Sequence, residues 1–320
     1  MLTKSQDEIM ASWDASWVEP VVSVCCTAFN HEDFVGDALD SILNQITHFP
    51  FEILIHDDAS NDDTVRILKQ YQSEFPEIIK PVYQVKNKWQ LGIRINPTFN
   101  FTRAKGQFIA ICEGDDFWVS TDKLQKQVSY MLNSPTVSLT FHQSKVLREN
   151  QNQTTLSEDY RPEQKFTISD IVENWFIYTQ TMVIRLSAID NMEKFFNGVV
   201  NVDWSLQLVA AHNGDVVYLP NLLSVYRKHH GSLSKAILAN PRKRCVNLLR
   251  LFMSFDNYSN NKYRGIIERK MLSLLSETSM IEKQNWCRKY YYLPCPDIFA
   301  QKLFRKLSTL YNSITFLKKV

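Results

Sequence analysis

The run Phe108-Ile109-Ala110-Ile111-Cys112 is apolar throughout, and three carboxylates, Glu113, Asp115 and Asp116, follow within four residues. A short apolar run that ends so abruptly reads as a buried strand. Carboxylates crowded at its end repel one another unless a cation or a ligand donor offsets their charge. In open α/β sheets ligands bind just beyond the carboxyl ends of the strands. The cluster therefore reads as a divalent-metal site at a strand end, with a solvated acidic loop as the alternative. Gly114 lets the backbone turn closely past a ligand.

The flanking pattern extends that sheet. Val21 to Ala28 is an apolar, β-branched run, and Phe34, Ala38, Leu39, Ile42 and Leu43 then recur at helical spacing. Phe51 to Ile55 reads as a second strand. Val65, Ile67, Leu68 and Tyr71 mark a second helix, with Asn61 or Asp62 as its N-cap. Ile79 to Gln84 reads as a third strand, and Pro97 to Lys105 as a helix ended by Gly106. After Phe108 to Cys112, Thr121 is expected to cap a helix running through Leu132, and Val137 to Phe141 resumes strand character. Strands alternating with helices predict an α/β fold, a mostly parallel sheet with helices on both faces. Met182 to Ile184, Val216 to Leu219 and Leu222 to Tyr226 add strands, and Asp203 to Ala211 a helix. Beyond Ser234 only helical periodicities remain. The expected organisation is an N-terminal extension over 1–19, a catalytic domain over 20–234 and a helical region over 235–320.

Bulk properties exclude several classes. With 320 residues and a net charge of +2, nothing in the overall balance argues for nucleic acid as a partner. The six cysteines form no C-x-x-C pair, and Cys25, Cys26 and Cys112 lie in strand-like runs as small hydrophobes, which suits a reducing cytosol. Residues 1–19 carry Asp7, Glu8 and Asp14 and lack the apolar segment of a signal peptide. No run is long and apolar enough to span a membrane. The phosphate-binding loop, the dinucleotide fingerprint and the G-x-S-x-G nucleophile elbow are all missing from the sequence.

Other polar groups sit at the ends of these elements. Asp57 and Asp58 close the second strand, where they either cap a helix or accept a hydrogen bond from a nucleotide base or ribose. Asp203 precedes the apolar helix containing Trp204, Leu206 and Leu208, as an N-cap or as a general base. The segment Tyr226-Arg227-Lys228-His229-His230-Gly231-Ser232 offers cations for a diphosphate and an imidazole for a metal or phosphate.

In order, these blocks resemble the family 2 glycosyltransferases of GT-A type, which are Rossmann-like. Val22 to Gln45 is similar to the family's opening block, and Phe51 to Asp62 to its second. Ala104 to Trp118 is similar to the metal block, and Asp122 to Gln127 to the helix after it. The resemblance implies a nucleotide-sugar half over about 20–120 and an acceptor half over about 121–234. It implies nucleotide contacts at Thr27, Asn30, Asp57, Asp58 and Asp115, and a base contact through Asp58 that favours UDP-sugars. It implies Mn²⁺ or Mg²⁺ on Asp116 and Asp115 with His229 beside them, a catalytic base at Asp203, and Thr179-Gln180-Thr181 on the acceptor side. One departure is that Glu113 stands where the family's usual motif has its first Asp. Arg185, Asp190 and Glu193 are alternatives near the base.

The implied activity is inverting sugar transfer from a nucleotide-diphosphate donor to a glycan or lipid-linked acceptor, as in bacterial surface polysaccharide synthesis. The rivals are a sugar nucleotidyltransferase and a non-catalytic nucleotide-sugar-binding protein. From Phe299 onward one helical face is apolar and the charges are basic, Lys302, Arg305, Lys306, Lys318 and Lys319. Such a helix either lies on an anionic membrane surface or docks on the catalytic domain. The expected location is cytoplasmic, with peripheral membrane contact if that face meets lipid.

Overall fold

The structure, a computed structural model, describes residues 4–148, 153–190, 192, 195, 199–231 and 240–276. The basic stretch 299–320 and Glu193 lie outside the described residues. The chain separates into two compact units, Met1–Phe196 with Val202–Ser232, and Asn197–Asn201 with Leu233–Val320.

The first unit is built on one ten-stranded sheet. Its strands are β1 (Val22–Ala28), β2 (Phe51–Asp57), β3 (Ile79–Tyr83), β4 (Phe108–Ile111), β5 (Phe117–Trp118), β6 (Val137–Arg148), β7 (Gln153–Leu156), β8 (Gln164–Phe166), β9 (Val183–Arg185) and β10 (Asp215–Lys228). Their order is β3-β2-β1-β4-β9-β6-β10-β5, with β7 on β6 and β8 on β10. The block β3-β2-β1-β4 is parallel throughout, and β6 pairs parallel with β10. Strand β9 joins the two blocks by antiparallel pairing to β4 and β6. The central runs are mostly apolar because both faces are covered, and β2 is buried along its whole length, Glu52, His56 and Asp57 included.

Helices α1 (Gln6–Met10), α2 (Val35–Leu43), α3 (Thr64–Glu74), α4 (Lys123–Asn133), α5 (Ile168–Glu173) and α6 (Val202–Asn213) surround the sheet. Val35, Ala38, Leu39, Ile42 and Leu43 of α2 are buried, the stripe its spacing predicts. In the second unit, helices Pro241–Tyr258 and Arg264–Ser276 pack on each other, with Leu251, Phe252, Phe255 and Ile267 buried. Among the described residues no helix is long and apolar enough to cross a membrane.

Three local expectations change. The N-cap of α3 is Asp63, without a side-chain capping bond, rather than Asn61 or Asp62, although Asp62 Oδ1 accepts the Thr64 N–H at 3.0 Å. The helix expected over Pro97 to Lys105 is instead a single π-type turn, Asn96–Asn100, followed by a 3-10 turn, Phe101–Arg103. Buried Asn100 donates to the Cys26 carbonyl at 3.1 Å and to Asn96 Oδ1 at 2.8 Å, which ties this turn to β1. The start of α4 is not capped by Thr121. Asp122 occupies the N-cap without a side-chain capping bond. Gln45, at the end of α2, accepts the Leu124 N–H at 3.0 Å and donates to the Ser120 carbonyl at 2.7 Å. Gln45→Ala leaves both groups without these partners, so a loss of about 2 kcal/mol is expected. A shift below a quarter of that in urea unfolding would show that water takes the place of the amide.

Candidate active site

Strand β1 connects through α2 to β2 on one side, whereas β4 enters on the other side of β1 after β3. That reversal makes the carboxyl end of β1 a topological switch point, where the loops diverge and leave a crevice. The acid-bearing turn is fastened there. Cys112 donates its N–H to the Cys25 carbonyl at 3.2 Å, and Gly114 to the Thr27 carbonyl at 2.9 Å. A Cβ on Gly114 would stand 2.9 Å from His31 Nδ1 and 3.1 Å from the Thr27 carbonyl oxygen. Glycine is needed here for the chain's own close approach to β1, a reason the sequence attached to a ligand.

Asp116 is fully buried. Its Oδ1 accepts the backbone N–H of Arg227 at 2.7 Å, while Oδ2 is buried with no hydrogen-bond partner. The Arg227 guanidinium lies between the rings of Phe34, at 4.9 Å, and Phe117, at 4.7 Å, and pairs with Asp37 at 2.8 Å. This clamp holds β10 to α2 and so sets the backbone N–H on Asp116. Asp115 Oδ2 lies 3.0 Å from His229 Nε2 and 4.0 Å from His31 Nε2. The potential ligand atoms of Glu113, Asp115 and Asp116 fall within 4.8 Å of one another, as do those of His31, Asp115 and His229.

The charges in this space are strongly unequal. Burial, then the negative charges of Asp115 and Asp203, pushes Glu113 up to about 8. Burial and the neighbouring Asp115 and Glu113 push Asp116 well above the carboxylate range. Burial also works against ionised Asp115, but the His229 hydrogen bond and the two imidazoles outweigh it and leave Asp115 lowered. The carboxylate oxygens suit Mg²⁺ or Mn²⁺, and an imidazole nitrogen beside them favours Mn²⁺ of the two. The orphaned Oδ2 of Asp116 is a buried acceptor for which such an ion would supply the missing partner, so the residues present fit the expected group.

At the end of β2 the two acids differ. Both oxygens of Asp58 accept backbone N–H groups, from Lys88 at 2.7 Å and Trp89 at 3.0 Å, and so shape the loop after β3. Asp57 accepts the Ser60 N–H through Oδ2 at 3.1 Å, while its Oδ1 is buried without a partner. Asn30 takes a left-handed conformation, φ 55°. It accepts the Asn61 N–H at 3.0 Å and donates its own N–H to Ser60 Oγ at 2.9 Å, bracing the ends of β1 and β2 together. Thr27 is half-buried and meets the acid turn through its carbonyl.

Asp203 is the second residue of α6, inside the first turn rather than at the N-cap position. Its Oδ2 accepts the indole N–H of Trp175 at 2.7 Å. Burial raises its affinity for a proton, opposed by hydrogen bonds from the Trp204 backbone and from Trp175. Of the alternatives, two lie among the described residues. Arg185 donates to the Val137 and Met131 carbonyls, and Asp190 is exposed. Thr179–Thr181 forms a 3-10 turn in which Gln180 and Thr181 are buried, with the Gln180 carbonyl accepting from Trp118 Nε1 at 3.2 Å. The sequence alone assigns no role to His31 or Trp175. His31 follows Asn30 at the end of β1 and had a positional signal; Trp175 had none.

The family model described as glycosyl transferase family 2 matches residues 23–191, more than half of the chain. The chain belongs to this family. An uncharacterized protein of Mycobacterium tuberculosis is 31% identical over 211 residues, covering 66% of this chain and 60% of that protein. The chain thus spans less than two thirds of that relative's length. The UDP-Glc:alpha-D-GlcNAc-diphosphoundecaprenol beta-1,3-glucosyltransferase WfaP of Escherichia coli is 27% identical over 215 residues, covering 67% of this chain and 80% of that protein. Among solved structures, S. aureus TarS in complex with UDP-GlcNAc superposes with a TM-score of 0.63 at 16% identity, covering 83% of this chain and 78% of that one. At that identity the likeness shows the fold, a GT-A-type α/β architecture, and not the substrate.

Proposed function

We propose that the protein is a metal-dependent, inverting glycosyltransferase that moves a sugar from a nucleotide-diphosphate donor, a UDP-sugar by preference, to a hydroxyl of a glycan or lipid-linked acceptor. The observation that carries this reading is the pair of ligand clusters that share Asp115 at the switch point, one with Glu113 and Asp116 and the other with His31 and His229, with one buried Asp116 oxygen left unpartnered. In this reading Asp57 and Asp58 meet the base and Thr27 and Asn30 border the nucleotide. Asp116, Asp115 and His229 hold the cation. When bound, a divalent cation offsets the negative charge of the departing diphosphate.

The chain's own contribution is positional and protonic. Asp203 accepts the proton of the acceptor hydroxyl as its oxygen bonds to the anomeric carbon. The bond to the diphosphate breaks on the opposite face, its electron pair leaves with the phosphate oxygen, and the anomeric centre inverts. A base with raised proton affinity is better matched to work near neutral pH. Asp203→Asn is expected to lower turnover by roughly 10²–10⁴-fold at unchanged UDP affinity. Turnover within threefold of wild type would remove Asp203 from this role.

The test of the reading as a whole is a panel of nucleotide sugars with Mn²⁺. Released nucleoside diphosphate supports it, and activity indifferent to EDTA removes the metal. Pyrophosphate release would indicate a nucleotidyltransferase, and binding without release a non-catalytic role. The reading places the enzyme in the cytoplasm in surface polysaccharide synthesis, with residues 299–320 at an anionic membrane. Membrane fractionation unchanged by deleting that stretch would sink the last element.

A further inference from the structure

Trp175 is 40% exposed, yet its indole N–H is engaged by Asp203 at 2.7 Å. The ring therefore has a fixed orientation and an open surface. The segment that carries it is anchored by its neighbours. Ile177 is fully buried, and Phe176 packs against Phe141 at 5.7 Å. Trp175 continues into a strip, edge-on to Tyr178 at 5.2 Å, and Tyr178 meets Tyr226 at 5.3 Å. Both tyrosines are only half-buried. At the far end Lys228 Nζ stands over the Tyr226 ring at 5.4 Å, and Lys228 is in register with Arg148 across the β6–β10 pair. Neither cation has an ion-pair partner among the described residues.

An apolar ring face with a polar edge suits a pyranose, which has one face of C–H groups and a rim of hydroxyls. Two adjacent cations with no ion-pair partner among the described residues suit a phosphate. We infer that Trp175, Tyr178 and Tyr226 form the acceptor subsite, stacking its sugar ring beside Asp203, and that Arg148 and Lys228 take a phosphate or diphosphate carried by the same acceptor. The inference rests on the glycosyltransferase reading and deepens it by assigning the acceptor class. Trp175 thereby has two tasks, as a stacking face for the acceptor and as a positioning residue for the base.

The test is calorimetric titration of the full chain, with UDP and Mn²⁺ present, using methyl hexosides and the same hexoses as 1-phosphates. At least one 1-phosphate is expected to bind about tenfold more tightly than its methyl glycoside, about 1.4 kcal/mol. Arg148→Gln with Lys228→Gln is expected to abolish that advantage, and Trp175→Ala to weaken both probes about tenfold. Trp175→Phe, which keeps a ring and loses the N–H, is expected to retain probe binding within threefold while lowering kcat and leaving acceptor KM unchanged. UDP affinity, measured in every variant, reports an intact fold. The same sugar on a short prenyl diphosphate separates the two sources of phosphate. A further gain identifies a lipid-linked acceptor, equal binding a free sugar phosphate, and either supports the subsite. No probe binding to the wild type, unchanged binding in Trp175→Ala, or a surviving phosphate advantage in the cation variant overturns it. Acceptor-independent donor hydrolysis, measured alongside, reports the donor site separately and so distinguishes failure of the subsite from failure of the enzymatic reading.

Discussion

Asp116→Asn is expected to lower turnover by about 10³-fold while leaving the metal-free protein at least as stable as the wild type. The first part follows from losing an anionic oxygen that would hold the cation offsetting the charge of the donor's diphosphate. Charge stabilisation of that kind is worth several kcal/mol, and about 4 kcal/mol is three orders of magnitude in rate. The second part follows from the surroundings of the side chain. Asn retains the Oδ1 that accepts the Arg227 N–H at 2.7 Å. It replaces a fully buried, partnerless Oδ2 beside Glu113 and Asp115 with a neutral amide. With its proton affinity raised well above the carboxylate range, the wild-type carboxyl must take up a proton that the unfolded chain does not hold, or carry a buried charge, and either costs stability that the neutral amide does not. Thermal melts in EDTA and nucleoside diphosphate release in Mn²⁺ check the two parts together. Turnover within tenfold of wild type would remove Asp116 from the metal site. A melting temperature several degrees lower would show that the carboxylate is structural.

The same residues illustrate what the sequence made legible. Phe108 to Asp116 announces itself because strand, turn and acids are contiguous, and contiguity is what periodicity detects. Asp57 and Asp58 are legible for the same reason, but not the difference between them. That difference depends on the backbone N–H groups of Lys88 and Trp89, thirty residues downstream, which close on Asp58 and leave Asp57 Oδ1 open. Arg227 reads as a phosphate ligand from its charge. In the fold its side chain is enclosed by two rings and Asp37, and its contribution to Asp116 is a main-chain N–H. Trp175 carries no signal in the sequence until α6 brings Asp203 to its indole. Each missed feature is a contact between distant segments, or one made by the backbone, and neither leaves a pattern in residue type.

Stability should also rise on Lys123→Met, and the gain should depend on pH. Lys123 opens α4 fully buried, its Nζ without a hydrogen-bond partner and 4.2 Å from the centre of the Trp118 ring. Burial, partly offset by Cys112, pushes the amine from 10.5 down to about 7. Below pH 7 the folded protein carries this charge at full penalty. Between pH 7 and 10.5 the unfolded chain holds a proton that the folded chain releases, so stability rises with pH through that window. The penalty below the window is at most roughly 5 kcal/mol, at 1.36 kcal/mol per pH unit. The cation–π contact with Trp118 returns about 2 kcal/mol of this. Methionine fills a similar volume without a charge, so a net gain of roughly 3 kcal/mol is expected at pH 7, about 6–12 °C in Tm. The measurement belongs below about pH 8.5. At higher pH the buried thiols of Cys25, Cys26 and Cys112, which burial holds protonated, oppose the trend as the unfolded chain ionises its own. Urea unfolding at pH 7 and 8.5 should show the wild type gaining stability relative to the variant by about 2 kcal/mol between the two values. Parallel curves, or a variant less stable at both, would show that Lys123 has a buried partner, such as enclosed water, that stabilises its charge.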